Sequence, residues 1–145
     1  YVDDHLPLAV RSRLEHWHQI HPTLTVETIL PQGWCQESGD ASQILLMALD
    51  ELLQITLPKD STPITLSASL CQHDQIQELL IRLSTPELSR VMARWDRKEL
   101  NYLRHSFYGL TSGHFFRQSQ SSLAVVWQFR WRSRPSRVGK PNPYH

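Results

Sequence analysis

Glycine is the first shortage: of five in 145 residues, none falls between Gly39 and Gly109. That central stretch has no residue that takes positive φ freely or lets backbone approach a ligand closely. Cysteine is scarce as well. Cys35 and Cys71 stand alone, without metal-ligand spacing, and a lone pair beside a full core is no disulfide framework. Both are expected as free thiols in a reducing cytoplasm. No apolar run approaches the roughly 18 residues needed to span a bilayer, and no charged-then-apolar leader opens the chain. The first residue is Tyr rather than Met, which suggests the C-terminal part of a longer protein. Acids are missing from the last sixteen residues, which carry Arg130, Arg132, Arg134, Arg137 and Lys140. The other 129 residues hold ten basic and fourteen acidic groups, so a mildly acidic body precedes a basic tail. What is present suits one domain: 40% hydrophobic content in this length fills a core, and 20% charge is ordinary for a soluble protein.

Periodicity then divides the chain. Leu6, Val10, Leu14, Trp17, Ile20 and His21 recur at helical spacing, which predicts an amphipathic helix over 6–21 with Arg13 snorkelling past the apolar face. Pro22 breaks it, and Leu24, Val26, Thr28 and Leu30 alternate with Thr25, Glu27 and Ile29 as a strand. Asp40 and Gln43 fit a capping box. The helix behind them is apolar around most of its circumference, with Met47, Asp50, Glu51 and Gln54 confined to one stripe, the pattern of a central helix. Ile64, Leu66, Ala68 and Leu70 alternate with polar residues as a half-exposed strand, Gln72 to Gln75 is the expected hairpin loop, and 76–83 returns as a more buried strand.

Thr85-Pro86-Glu87 supplies a cap, a proline at the first helical position and a dipole-favoured acid for a short helix with Leu88, Val91, Met92 and Trp95 on its apolar stripe. Asp96 and Glu99 repeat the capping pattern before Leu100, Leu103 and Phe107, and Gly109 is expected to end that helix. Residues 113–118 and 123–131 form the last hairpin, whose second strand alternates Leu123, Val125, Trp127, Phe129 and Trp131 with Ala124, Val126, Gln128 and Arg130. The tail from Arg132 to His145, with Pro135, Pro141 and Pro143, is expected to be disordered. The domain therefore covers 1–131 and the basic tail 132–145. Helices gathered on one face of the sheet would bury the Leu-rich helix, so the expected fold class is α+β, a two-layer sandwich with a mixed, largely antiparallel sheet.

This order, and the segments from Ser42 to Leu57, Pro63 to Leu70 and Ile76 to Leu83, resemble the ATPase-type domain of sensor histidine kinases, the Bergerat fold. In that family a buried helix carries a Glu and, four residues on, an Asn that holds the magnesium ion on the ATP phosphates. Glu51 takes the place of the Glu and Ile55 that of the Asn. An isoleucine offers no oxygen to a hard cation. The family's Asp-x-Gly, whose Asp bonds the adenine amino group, corresponds to Ser84-Thr85-Pro86. Serine bonds a base weakly, and Pro86 has a fixed φ and no N–H. The Gly-rich lid over the phosphates is replaced by Leu88 to Asp96, without glycine.

The resemblance therefore implies a degenerate domain: no cofactor, no metal, no catalytic residue, and a vestigial cleft at Glu51, Ile55, Ser84 and Pro86. It implies a cytoplasmic, non-catalytic protein-binding module in signal transduction, its partner a response regulator, a kinase or another signalling subunit. A homodimer would form through an N-terminal region outside this chain. Three alternatives stand beside it. One is an unrelated α+β domain; another is an ATP-binding kinase domain in which Ser84 and Glu51 suffice. The third is a nucleic-acid-associated protein using Trp131 and the arginines of the tail, although five charges in a flexible tail are more often solvated. Other constellations carry less. His18 and His21 lie one turn apart without a third ligand nearby, and His16 has no adjoining second helix of the kind that carries a phosphoacceptor. Asp50 beside Glu51 suggests acid–base work only if a substrate exists. Ser42, Ser84 and Cys35 lack a nucleophile elbow.

Overall fold

The structure is a computed structural model that describes residues 5–34 and 39–132, with Gly39 and Asp40 described through their backbone alone. The chain runs α1 (His5–Ile20), β1 (Leu24–Ile29), α2 (Gly39–Thr56), β2 (Ile64–His73), β3 (Ile76–Ser84), α3 (Leu88–Met92), α4 (Arg97–Thr111), β4 (His114–Gln120) and β5 (Ala124–Arg132). The five strands form one sheet in the order β1-β2-β3-β5-β4. β1 and β2 are parallel, as the crossover through α2 requires. The other pairings are antiparallel.

Alternation fixes which face of the sheet is dry. Leu66, Ala68 and Leu70 on β2, Leu79, Ile81 and Leu83 on β3, and Val125, Trp127, Phe129 and Trp131 on β5 are buried in one core with Phe115 of β4. The helices contribute to that same core through Leu6, Val10 and Leu14 of α1, Leu45, Leu49, Leu52 and Leu53 of α2, and Leu100, Leu103 and Phe107 of α4. They therefore share one side of the sheet, and the expected two-layer α+β sandwich with a mixed, largely antiparallel sheet is the architecture found. β1 and β4 are its edges. β4 carries a register shift between Arg117 and Ser119, while β1 is regular throughout.

Several boundaries differ from expectation. β2 and β3 extend to His73 and Ile76, so the hairpin turn holds Asp74 and Gln75 rather than four residues. Asp74 takes φ 54, a conformation that Asp tolerates better than most side chains. α3 starts at Leu88 with Glu87 at its N-cap, and Pro86 lies in the preceding turn. The Thr85 hydroxyl accepts instead from the Glu87 N–H at 3.3 Å, two residues on. Asp96 does cap α4, accepting from Lys98 and Glu99 N–H groups. α4 continues through Gly109 to Thr111 and is stopped by Ser112 in the left-handed region. β5 runs on to Arg132. The disordered-tail expectation for 133–145, the Asp40 half of the capping box and Cys35 lie outside the described residues.

Candidate cleft between α2 and α4

The polar stripe of α2 divides between two neighbours. Asp50 turns toward α1, where its carboxylate accepts from the Trp17 indole N–H at 2.9 Å and pairs with Arg13. Arg13 thus reaches a carboxylate on the next helix instead of snorkelling to solvent. Glu51, one residue on, turns toward α4. With Gln54 and Ile55 it forms one wall of a cleft of about 460 Å³, and Lys98, Glu99 and Tyr102 of α4 form the other. Glu51, Lys98, Glu99 and Tyr102 are exposed, and Ile55 is half-buried, packed on the core along one side and lining the cleft with the other.

Of the four expected cleft positions, Glu51 and Ile55 come together here; Ser84 and Pro86 do not line this cleft. Ser84 is the last residue of β3, paired with Thr65 and Ala124. Its predecessor Leu83 points into the core, so alternation puts Ser84 on the helix-free face. Pro86 is exposed in the turn beyond.

Beside the end of α2 stands Trp95. Its indole N–H donates to the Thr56 carbonyl at 2.9 Å, satisfying one of the carbonyls that a helix C-terminus leaves free. Its ring lies 5.6 Å from that of Trp127, and the Arg117 guanidinium covers both rings at 5.8 and 5.0 Å. Burial, with a lesser contribution from Arg97, pushes Arg117 below the usual arginine range. Trp95 was legible only as part of an apolar stripe and Gln54 as part of the polar stripe of α2, while nothing in the sequence marked Tyr102 or Lys98. Glu99, Tyr102 and Leu103 do share a helical face, but nothing local says which helix faces them.

The histidines engage otherwise. His18 Nδ1 meets the Leu24 carbonyl, and His21 stacks on Trp17 at 5.7 Å. Among the described residues no group of three His, Cys, Asp or Glu side chains is placed to hold a metal. Cys71 is a free thiol on β2 that donates to Glu78 at 3.5 Å, and burial followed by the Glu78 charge raises its pKa. No described helix is long and apolar enough to cross a membrane.

No protein-family model matches the chain, and no curated protein does. Solved structures do. A histidine kinase from Burkholderia phymatum STM815 superposes with a TM-score of 0.67 at 13% identity, covering 92% of this chain and 69% of that one. The nucleotide-free catalytic domain of histidine kinase ThkA gives 0.67 at 13% identity, over 94% of this chain and 97% of its own. The mycobacterial sensor histidine kinase MprB gives 0.60 at 17%, over 88% and 93%. With the sheet order, the buried α2 and the α2–α4 cleft, these likenesses give the chain the fold of the histidine kinase catalytic, ATPase-type domain.

Proposed function

We propose that this domain is a non-catalytic histidine-kinase-like module that binds a protein partner in cytoplasmic signal transduction, using the surface around the α2–α4 cleft. The observation that carries the proposal is Ile55 in the wall of that cleft, at the place where the resemblance calls for the magnesium-holding Asn. Support comes also from Ser84, whose face of β3 looks away from the helices, and from Trp95, which ties the segment in the lid position to the end of α2. The partner class is a response regulator, a kinase or another signalling subunit; the similar kinase ThkA has been solved in complex with the response regulator protein TrrA. A second reading has one observation in its favour. The cleft holds about 460 Å³, within the range of about 300–1,000 Å³ typical of small-molecule sites, so an unconventional nucleotide site is the competitor.

Thermal unfolding with ATP or ADP at millimolar concentration, with and without magnesium, separates the two. A ligand at a hundred times its Kd stabilises the fold by about 2.7 kcal/mol. We expect no shift in Tm. A saturable, magnesium-dependent rise would overturn the non-catalytic reading.

A further inference from the structure

The α2–α4 cleft is one end of a longer groove. Toward the start of α2 a second depression of about 60 Å³ lies between the same two helices, with Ile44, Ala48, Leu103 and Phe107 beneath it and Met47 and Leu110 at its margins. Glu51 borders both. The residues along each wall recur at helical spacing, from Ile44 to Ile55 on α2 and, running the other way, from Leu110 to Glu99 on α4. Eleven residues at 1.5 Å each make the groove about 16 Å long, or three helical turns.

Its two ends differ chemically. At the α2 N-terminal end, Met47 and Leu110 are 66% and 59% exposed, large apolar side chains held in water beside a depression with room for about one aliphatic side chain. At the other end Glu51 and Glu99 face a single Lys98, and among the described residues neither carboxylate has an ion-pair partner. Tyr102, 68% exposed, lies at that acidic end.

Resting on the partner-binding reading above, we propose that this groove receives one amphipathic helix of a partner, with apolar residues over Met47 and Leu110 and a Lys or Arg one to three turns along, at Glu51 and Glu99. The acid excess selects a basic occupant. The shape selects a helix: two antiparallel helices leave a furrow whose side-chain rows accept a third, read as anchors at i, i+3, i+4 and i+7. A small molecule in the cleft would leave Met47 and Leu110 uncovered, and among the described residues those lining the groove belong to helices, with no strand for an extended peptide to join.

The test uses the whole chain and two fluorescein-labelled helical peptides about fifteen residues long, enough to cover the groove at 1.5 Å per residue. Both carry leucines on one face; one has lysines and the other glutamates on its flanks. We expect the lysine peptide to bind about tenfold or more tightly than the glutamate peptide, a difference of about 1.4 kcal/mol. Met47→Glu with Leu110→Glu should abolish that binding, and Glu51→Lys with Glu99→Lys should invert the preference. All four positions are exposed, so the variants should keep the parent's cooperative unfolding, which is checked in parallel. Absence of binding, binding that survives Met47→Glu with Leu110→Glu, or a preference unmoved by the charge reversal would each overturn the assignment. Nucleotide binding is measured on the same samples without peptide. Binding of Mg-ATP defeats the non-catalytic reading, whereas failure of the peptide with no nucleotide effect defeats the groove assignment alone.

Discussion

At Gly113 a β-carbon would stand 2.4 Å from the Arg130 carbonyl oxygen and 2.9 Å from the Trp131 β-carbon. Backbone cannot swing aside, so Gly113→Ala is expected to destabilise by roughly 1–3 kcal/mol, the usual cost of forcing volume into a packed site. Gly109 has nothing within 4 Å of its would-be β-carbon and lies inside α4. Gly109→Ala should stabilise by about 0.5–1 kcal/mol through lower backbone entropy in the unfolded chain. Urea unfolding of the two variants should therefore move in opposite directions. Asp60 offers a pH test. The Thr62 hydroxyl and then its N–H donate to the carboxylate, Arg90 adds a further bond, and together they lower its pKa from 3.8 to about 2. The depressed folded value means that this contribution is complete above the unfolded value near 3.8 and is lost as pH falls through about 2. Asp60→Asn should flatten the decline of Tm across that window and leave the profile above pH 5 parallel to the parent's.

Along α2 the same helix serves three neighbours, and its cleft wall can be probed at Ile55. One side of that residue packs on the core and the other lines an open cleft. An Asn placed there keeps its amide hydrated, so Ile55→Asn should cost about 1 kcal/mol of lost apolar contact and escape the further 1–3 kcal/mol for enclosing an unpartnered amide. A loss of 3 kcal/mol or more in urea unfolding would mean the side chain is enclosed. Much of this element structure was legible in the sequence, because it depends on local signals. The alternation of β5, the apolar circumference of α2 and the Asp96 cap each announce themselves within a few residues. Boundaries were less legible where two signals compete: Gly109 has the chemistry of a helix end, yet Ser112 takes the left-handed position and the helix runs on. Pro86 similarly suits a first turn, but the chain is still turning there. The cleft was half legible. Glu51 and Ile55 sit on one helix at fixed spacing, whereas the Trp95–Thr56 bond joins residues 39 apart and Tyr102 meets α2 across a longer separation still, pairings that no local pattern encodes.

For the whole molecule, a five-stranded sheet covered by helices on one side has two edges, and they are not equally guarded. β4 is interrupted by its register shift and carries Arg117, devices that discourage another strand from pairing. β1 has neither. It reads Leu24-Thr25-Val26-Glu27-Thr28-Ile29, regular from end to end, with Ile29 72% exposed and Glu27 its only charge. That carboxylate, loosely bonded to the Ser67 hydroxyl at 3.3 Å, is expected to discourage another strand from pairing along β1. Glu27→Val should leave Tm within a few degrees of the parent's, since the side chain is exposed. Light scattering of concentrated samples held below Tm should nonetheless rise over hours. Equal scattering by parent and variant would show that β1 is shielded by something other than its charge. If the scattering does rise, the shelf life of the isolated domain and the concentration it tolerates are set by one glutamate on an edge strand.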